Sequence, residues 1–206
     1  MQDALIRIDK LSAFFGKTFA WSVVVLTLAV SYEVGARYLF RAPTTWGFDA
    51  AYILYGTLFM MGGAYTLSRN AHVRGDFVYR SFSARTQGAL DLVLYVLFFF
   101  PAIGALIYSG WAFFWPSFLQ NERSAFSPVG PVIWPFKFLI PFVGVLMLIQ
   151  GIAEVARCWI AIRTGEWPQR LSDVEETEKL ILEAAEKGEI DKILSRERAL
   201  DQEDGR

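Results

Sequence analysis

The run LDLVLYVLFFFPAIGALIYSGWAFFW, Leu90 to Trp115, offers no polar face on any helical projection. A helix in water needs such a face, so the medium around this one is not water. Four apolar blocks, Phe14–Leu39, Asp49–Ser68, Ala89–Trp115 and Phe138–Ile162, are each long enough to span a bilayer, since a hydrocarbon core of about 30 Å takes roughly 20 helical residues. Across the chain 54% of residues are hydrophobic and 16% aromatic, with a mean hydropathy of +0.32, and the excess sits in these blocks. Period-two alternation is absent, which argues against a β-barrel. The expected fold is all-α: an integral membrane domain over residues 1–167 with four transmembrane helices at about 14–39, 49–68, 89–115 and 138–162.

Lys and Arg set the orientation. With the N-terminus inside, the cytoplasmic stretches carry Arg7, Lys10, Lys17, Arg69, Arg74, Arg80, Arg85, Arg157, Arg163 and Arg170, against Arg37, Arg41, Arg123 and Lys137 outside. That bias places both termini in the cytoplasm. The first block lacks a small-x-small cleavage site and continues through Tyr38–Phe40, so it reads as an uncleaved helix rather than a signal peptide. One cysteine, Cys158, forms no internal disulfide and leaves the redox compartment unread.

Between the blocks lie unequal linkers. RAPTTWGF is short, whereas PSFLQNERSAFSPVGPVIWPFK, edged by Trp115 and Trp134, reads as an ordered outer loop pinned at the headgroups by its aromatics. On the inner side RNAHVRGDFVYRSFSAR is amphipathic enough to lie along the interface. Beyond Trp167 the composition turns charge-dense, and residues 168–206 read as a solvated cytoplasmic tail, partly helical or disordered.

Catalytic chemistry has little to work with. His72 is the only histidine; alone it supplies neither a bis-histidine haem anchor nor, with Cys158, a zinc site. FFGKT lacks the first glycine of a phosphate loop and opens a spanning helix. No GxSxG elbow and no HExxH pair occurs. The expectation is a protein that is not an enzyme and holds no cofactor or metal of its own. Pro101, Gly104, Gly56, Gly62 and Gly63 read as packing or kink positions, and Ala64 with Ser68 and Ala105 with Ser109 as weak small-xxx-small pairs.

The stretch SYEVGARYLFRAPTTWGFDAAYILYGTLF collects charge around a turn. Glu33 and Arg37 are four apart on one helix face with the acid N-terminal, the favourable order, and Arg41 continues toward the headgroups. Pro43 ends the helix, Trp46 marks interface depth, and Asp49 caps or charges the next helix. A plain apolar helix would insert more cheaply than one carrying Glu33 and Arg37.

RYLFRAPTTWGFDAAYILYGTLFMMGGAYTLSRNAHVRGDFVY resembles the small membrane subunit, the DctQ type, of tripartite ATP-independent periplasmic (TRAP) transporters. The shared pattern is an Arg-Tyr-x-Phe helix end at Arg37–Phe40, Pro43, Trp46, an acid at Asp49, and the turn His72–Asp76. The likeness runs more loosely over about Phe14–Arg163 and leans toward the mannitol/chloroaromatic or 2-oxo acid branch.

The resemblance implies four helices in the bacterial inner membrane and two protein partners. One is a large membrane subunit that binds sodium and substrate; the other is a periplasmic solute-binding protein. Together they take up organic acids on a sodium gradient, with this chain as scaffold, in contact with membrane lipids and with no nucleic acid. Glu33, Arg37, Arg41, Trp46, Asp49, His72, Arg74 and Asp76 are its candidate subunit-interface or lipid-headgroup residues. Two other classes remain open on the residues alone. One is a stand-alone four-helix ion channel or small exporter, in which Glu33 or Asp91 lines a pore; the other is a membrane anchor of a redox complex.

Overall fold

A computed structural model of the chain describes residues 2–69, 79, 81–127, 130–168, 170 and 182–183. Two helices, α1 (Gln2–Ala20) and α2 (Ser22–Tyr38), are joined through Trp21 almost without interruption. After the outer turn comes α3 (Gly47–Ser68). Then α4 (Ala84–Leu94) runs through a π-turn at Tyr95–Phe99 into α5 (Phe100–Leu119), and α6 (Trp134–Thr164) completes the bundle. Among the described residues the only extended pairing is an isolated bridge between Arg123 and Val132 in the outer loop.

Three of these helical runs, Gln2–Tyr38, Ala84–Leu119 and Trp134–Thr164, are long and apolar enough to cross a membrane. The fourth, α3, has 22 residues, about 33 Å of helix at 1.5 Å each, and is long enough to span as well. The first run begins at Gln2, well before the apolar block starts at Phe14, because Leu5, Asp9 and Ser12 are buried against the bundle. Asp91 lies deeper in its helix than the sequence suggests. The helix starts at Ala84 behind Ser83, whose hydroxyl accepts the Thr86 N–H as an N-cap, and Asp91 accepts the Tyr79 hydroxyl at 2.8 Å.

The central helix is α6, which touches α1, α3, α4 and α5. Its middle packs Val143 and Leu146 against Met61 and Ala64 of α3, with Phe15 and Phe19 of α1 at the edge. Lipid tails are as apolar as these side chains, so association rests on close van der Waals fit rather than on water exclusion. The glycines of α6 supply that fit: a Cβ on Gly144 would stand 2.6 Å from Ile107, and one on Gly151 2.3 Å from the Phe99 ring. Phe99 comes from the π-turn, where the Phe100 N–H bonds the Tyr95 carbonyl, so the wider turn ahead of Pro101 aims an aromatic into the Gly151 notch.

Of the small residues singled out from sequence, Gly56 meets the Phe136 ring, and Gly63 lies at ordinary contact from Met147. Ala64 and Ser68 are buried. Gly62 and Gly104 face open space, and Ala105 and Ser109 are exposed. Helix α2 has no buried residue and packs on α3; most of its surface faces outward.

Candidate functional site

At the hairpin end, α2 closes with a left-handed residue. Two residues past the C-cap Leu39, Arg41 has φ 51° and the Ala42 N–H reaches back to the Ala36 carbonyl at 3.0 Å, a left-handed backbone that usually selects glycine. Glu33 is the hub of the turn. One carboxylate oxygen takes both the Arg37 Nε, at 3.0 Å, and its Nη2, at 2.5 Å. The other takes the Thr44 N–H at 2.9 Å and the Thr44 hydroxyl. The Gly47 N–H in turn donates to Thr44 Oγ1 at 3.2 Å. Thr44, not Asp49, therefore serves the start of α3.

Arg37 keeps 54% of its side-chain surface exposed, against 14% for Glu33. Arg41 is exposed, and Trp46 stacks on Tyr32 with ring centroids 6.0 Å apart. These three present charge and aromatic surface outward at the depth where headgroups begin.

Asp49 behaves differently. Its side chain turns inward, leaving the residue 2% exposed, and its two oxygens accept the hydroxyls of Ser124 and Ser127 from the outer loop. The loop is further tied by Ser124 N–H to Pro131 O at 2.9 Å and Ile133 N–H to Glu122 O at 3.0 Å. Gly130 is required by close approach, since a Cβ there would fall 2.1 Å from the Ser124 carbonyl. Lys137 at the start of α6 pairs with Glu122 at 2.5 Å and holds that carboxyl below the usual carboxylate range, chiefly through their hydrogen bond.

The opposite end holds a cluster that sequence reasoning missed. Arg157 of α6 bridges Asp9 of α1 and Glu154, each at 2.5 Å, with all three side chains at most 1% exposed. Gln150 donates to Asp9 at 2.9 Å and accepts the Ser12 hydroxyl at 2.8 Å. Arg170, beyond the helix, closes the cluster by binding Glu154 at 2.8 Å. Two acids and two guanidiniums balance, and the pairing joins the first helix, the last helix and the start of the tail. The available signal was Gln150, Glu154 and Arg157 recurring at i, i+4, i+7 on an otherwise apolar helix, matched by Asp9 and Ser12 on another.

Trp167 also anchors this segment, donating its indole N–H to Gln87 at 2.9 Å. A chain cut after Arg170 is therefore expected to purify with wild-type melting behaviour, whereas one cut after Pro168 loses the Glu154 partner and melts several degrees lower in the same detergent. His72, Arg74 and Asp76 lie outside the described residues, as does most of the tail.

Residues 26–161 match the model of the DctQ component of tripartite ATP-independent periplasmic transporters. The chain belongs to this family. It is thus the small permease subunit of a TRAP transporter, a multi-pass protein of the bacterial inner membrane and not an enzyme. A relative, the sialic acid TRAP transporter small permease protein SiaQ of Vibrio cholerae serotype O1, is 27% identical over 145 residues, covering 65% of this chain and 82% of the relative. The matched region takes in the outer hairpin and Gln150, Glu154 and Arg157, while Asp9 and Arg170 fall outside it. Small permeases of this family work with a large membrane subunit and a periplasmic binding protein.

Proposed function

We propose that this subunit scaffolds a large, sodium- and solute-binding membrane partner and that the pair, fed by a periplasmic binding protein, takes up an organic acid on a sodium gradient. The observation that carries the scaffold role is the state of the buried acids. Asp9, Asp49, Asp91 and Glu154 each bond a hydroxyl, an amide or a guanidinium of this chain, so none offers the open oxygen cage a transported cation needs. Glu33 and Asp91, the residues a stand-alone channel would use, are likewise engaged within the chain. Sodium and solute then bind the partners, and this chain requires no cofactor. The organic-acid class is supported by the relative named for sialic acid, a carboxylic acid.

Within this reading Arg37, Arg41 and Trp46 meet the large subunit or lipid phosphates at the outer edge, with His72, Arg74 and Asp76 doing so at the inner one. Glu33 and Asp49 act one step back, holding the hairpin and the loop. Proteoliposomes containing only this chain are expected to take up no solute. Uptake is expected once the large subunit, the binding protein and an inward sodium gradient are supplied. Solute uptake by the isolated chain overturns the scaffold reading.

Orientation has its own test. Cysteines placed at the exposed Thr45 and Gln120 are expected to react with a membrane-impermeant thiol reagent in intact cells, and one at Ser83 is expected not to. The native Cys158 is 1% exposed and adds no background. Labelling at Ser83 alone reverses the orientation argued from positive charge.

A further inference from the structure

At the hairpin end, α3, α5, α6 and the outer loop enclose a cleft of about 320 Å³, near the lower end of the roughly 300–1,000 Å³ typical of small-molecule sites. Its charged groups are Asp49, Glu122 and Lys137, and its walls include the rings of Tyr52, Phe113 and Phe136. The Lys137 ammonium lies 4.0 Å from the centroid of Phe113, so an aromatic face already meets a cation here. Trp115 and Trp134, at the helix ends bordering the loop, place this level at the lipid headgroups.

We propose that this cleft binds the head group of an amine-bearing zwitterionic phospholipid, of the phosphatidylethanolamine class, its ammonium against Glu122 and the aromatic wall and its phosphate at Lys137. Charge decides the class. Two carboxylates and one ammonium leave a surplus of one negative charge, which attracts a primary ammonium and repels a wholly anionic glycerol head. Lys137 is almost buried and carries a single acid partner, leaving ammonium hydrogens for a phosphate oxygen, while Glu122 keeps 40% of its side chain exposed to receive the amine. The acyl chains run down the outward faces of α3 and α5, where Tyr55, Phe59 and Leu106 are exposed.

The test uses the full chain purified in micelles containing equal amounts of phosphatidylethanolamine and phosphatidylglycerol, with the co-purifying lipid quantified by mass spectrometry. The ethanolamine lipid is expected to be enriched about fivefold on the wild-type chain, a difference near 1 kcal/mol. Glu122→Gln is expected to abolish the enrichment. Because that change also removes the partner of Lys137, a second variant is needed: Ala125→Trp, on the exposed loop at the cleft, fills the site without breaking a bond and is expected to abolish the enrichment at an unchanged melting temperature. Equal retention of both lipids by the wild type overturns the proposal. So does enrichment that survives Ala125→Trp, or full displacement by free phosphoethanolamine, which marks a soluble-amine site instead.

Discussion

Replacing Arg157 with methionine is expected to be the most damaging single change in this chain. The side chain is fully buried and bridges Asp9 and Glu154, so its loss strands the Asp9 carboxylate, while Glu154 keeps Arg170. Breaking a buried pair by removing one partner costs about 3–5 kcal/mol, because the charge left behind keeps its desolvation penalty and loses its compensation. For a chain of this size that is a fall of roughly 6–20 °C in melting temperature. Arg157→Lys rescues little, since one ammonium does not reproduce a planar fork spanning two acids. A double variant carrying Asp9→Asn as well recovers much of the loss, because the stranded charge is gone. Thermal melts of the three variants in detergent check this; equal melting of Arg157→Met and the wild type removes the cluster from any structural role.

Such a cluster explains both what was readable in the sequence and what was not. The apolar runs, the positive bias and the hairpin residues are local signals, each carried by residues close in the chain. Asp9 and Arg157 are 148 positions apart, and no local pattern links them. In sequence, Asp9 counts against membrane burial and Arg157 counts as one more inner positive charge. Only the packing of α1 on α6 turns each into the other's reason for being buried. The same separation hid the Asp49 contacts, which reach 75 and 78 positions along the chain. Asp49 was legible as an acid at a helix start and its partners were not, so its task reads differently once the loop is in place. Arg37 and Glu33, four apart, were legible as a pair and are one.

Asp49→Ala and Arg37→Ala are therefore expected to fail in different ways. Removing the Asp49 carboxylate leaves the Ser124 and Ser127 hydroxyls without their acceptor. Hydrogen bonds to a charged group contribute roughly 1.5–3 kcal/mol each. The loop between α5 and α6 then loses its main tie to α3, so the expected result is a subunit that inserts but melts lower, with its outer surface open to protease and transport by the assembled complex strongly reduced. Asp49→Asn should recover part of this, since an amide oxygen still accepts one hydroxyl. Arg37 is half-exposed and its partner Glu33 keeps both Thr44 contacts without it, so Arg37→Ala is expected to melt like the wild type. If its guanidinium meets the large subunit or a lipid phosphate, co-purification and transport nevertheless fall well below those of Arg80→Ala. The two readouts separate the roles: a lower melt with Arg37→Ala makes the residue part of this chain's own fold. An unchanged melt with unchanged assembly and transport leaves the outer arginine as trim at the membrane edge, and the strain at Arg41 without a purpose on that face.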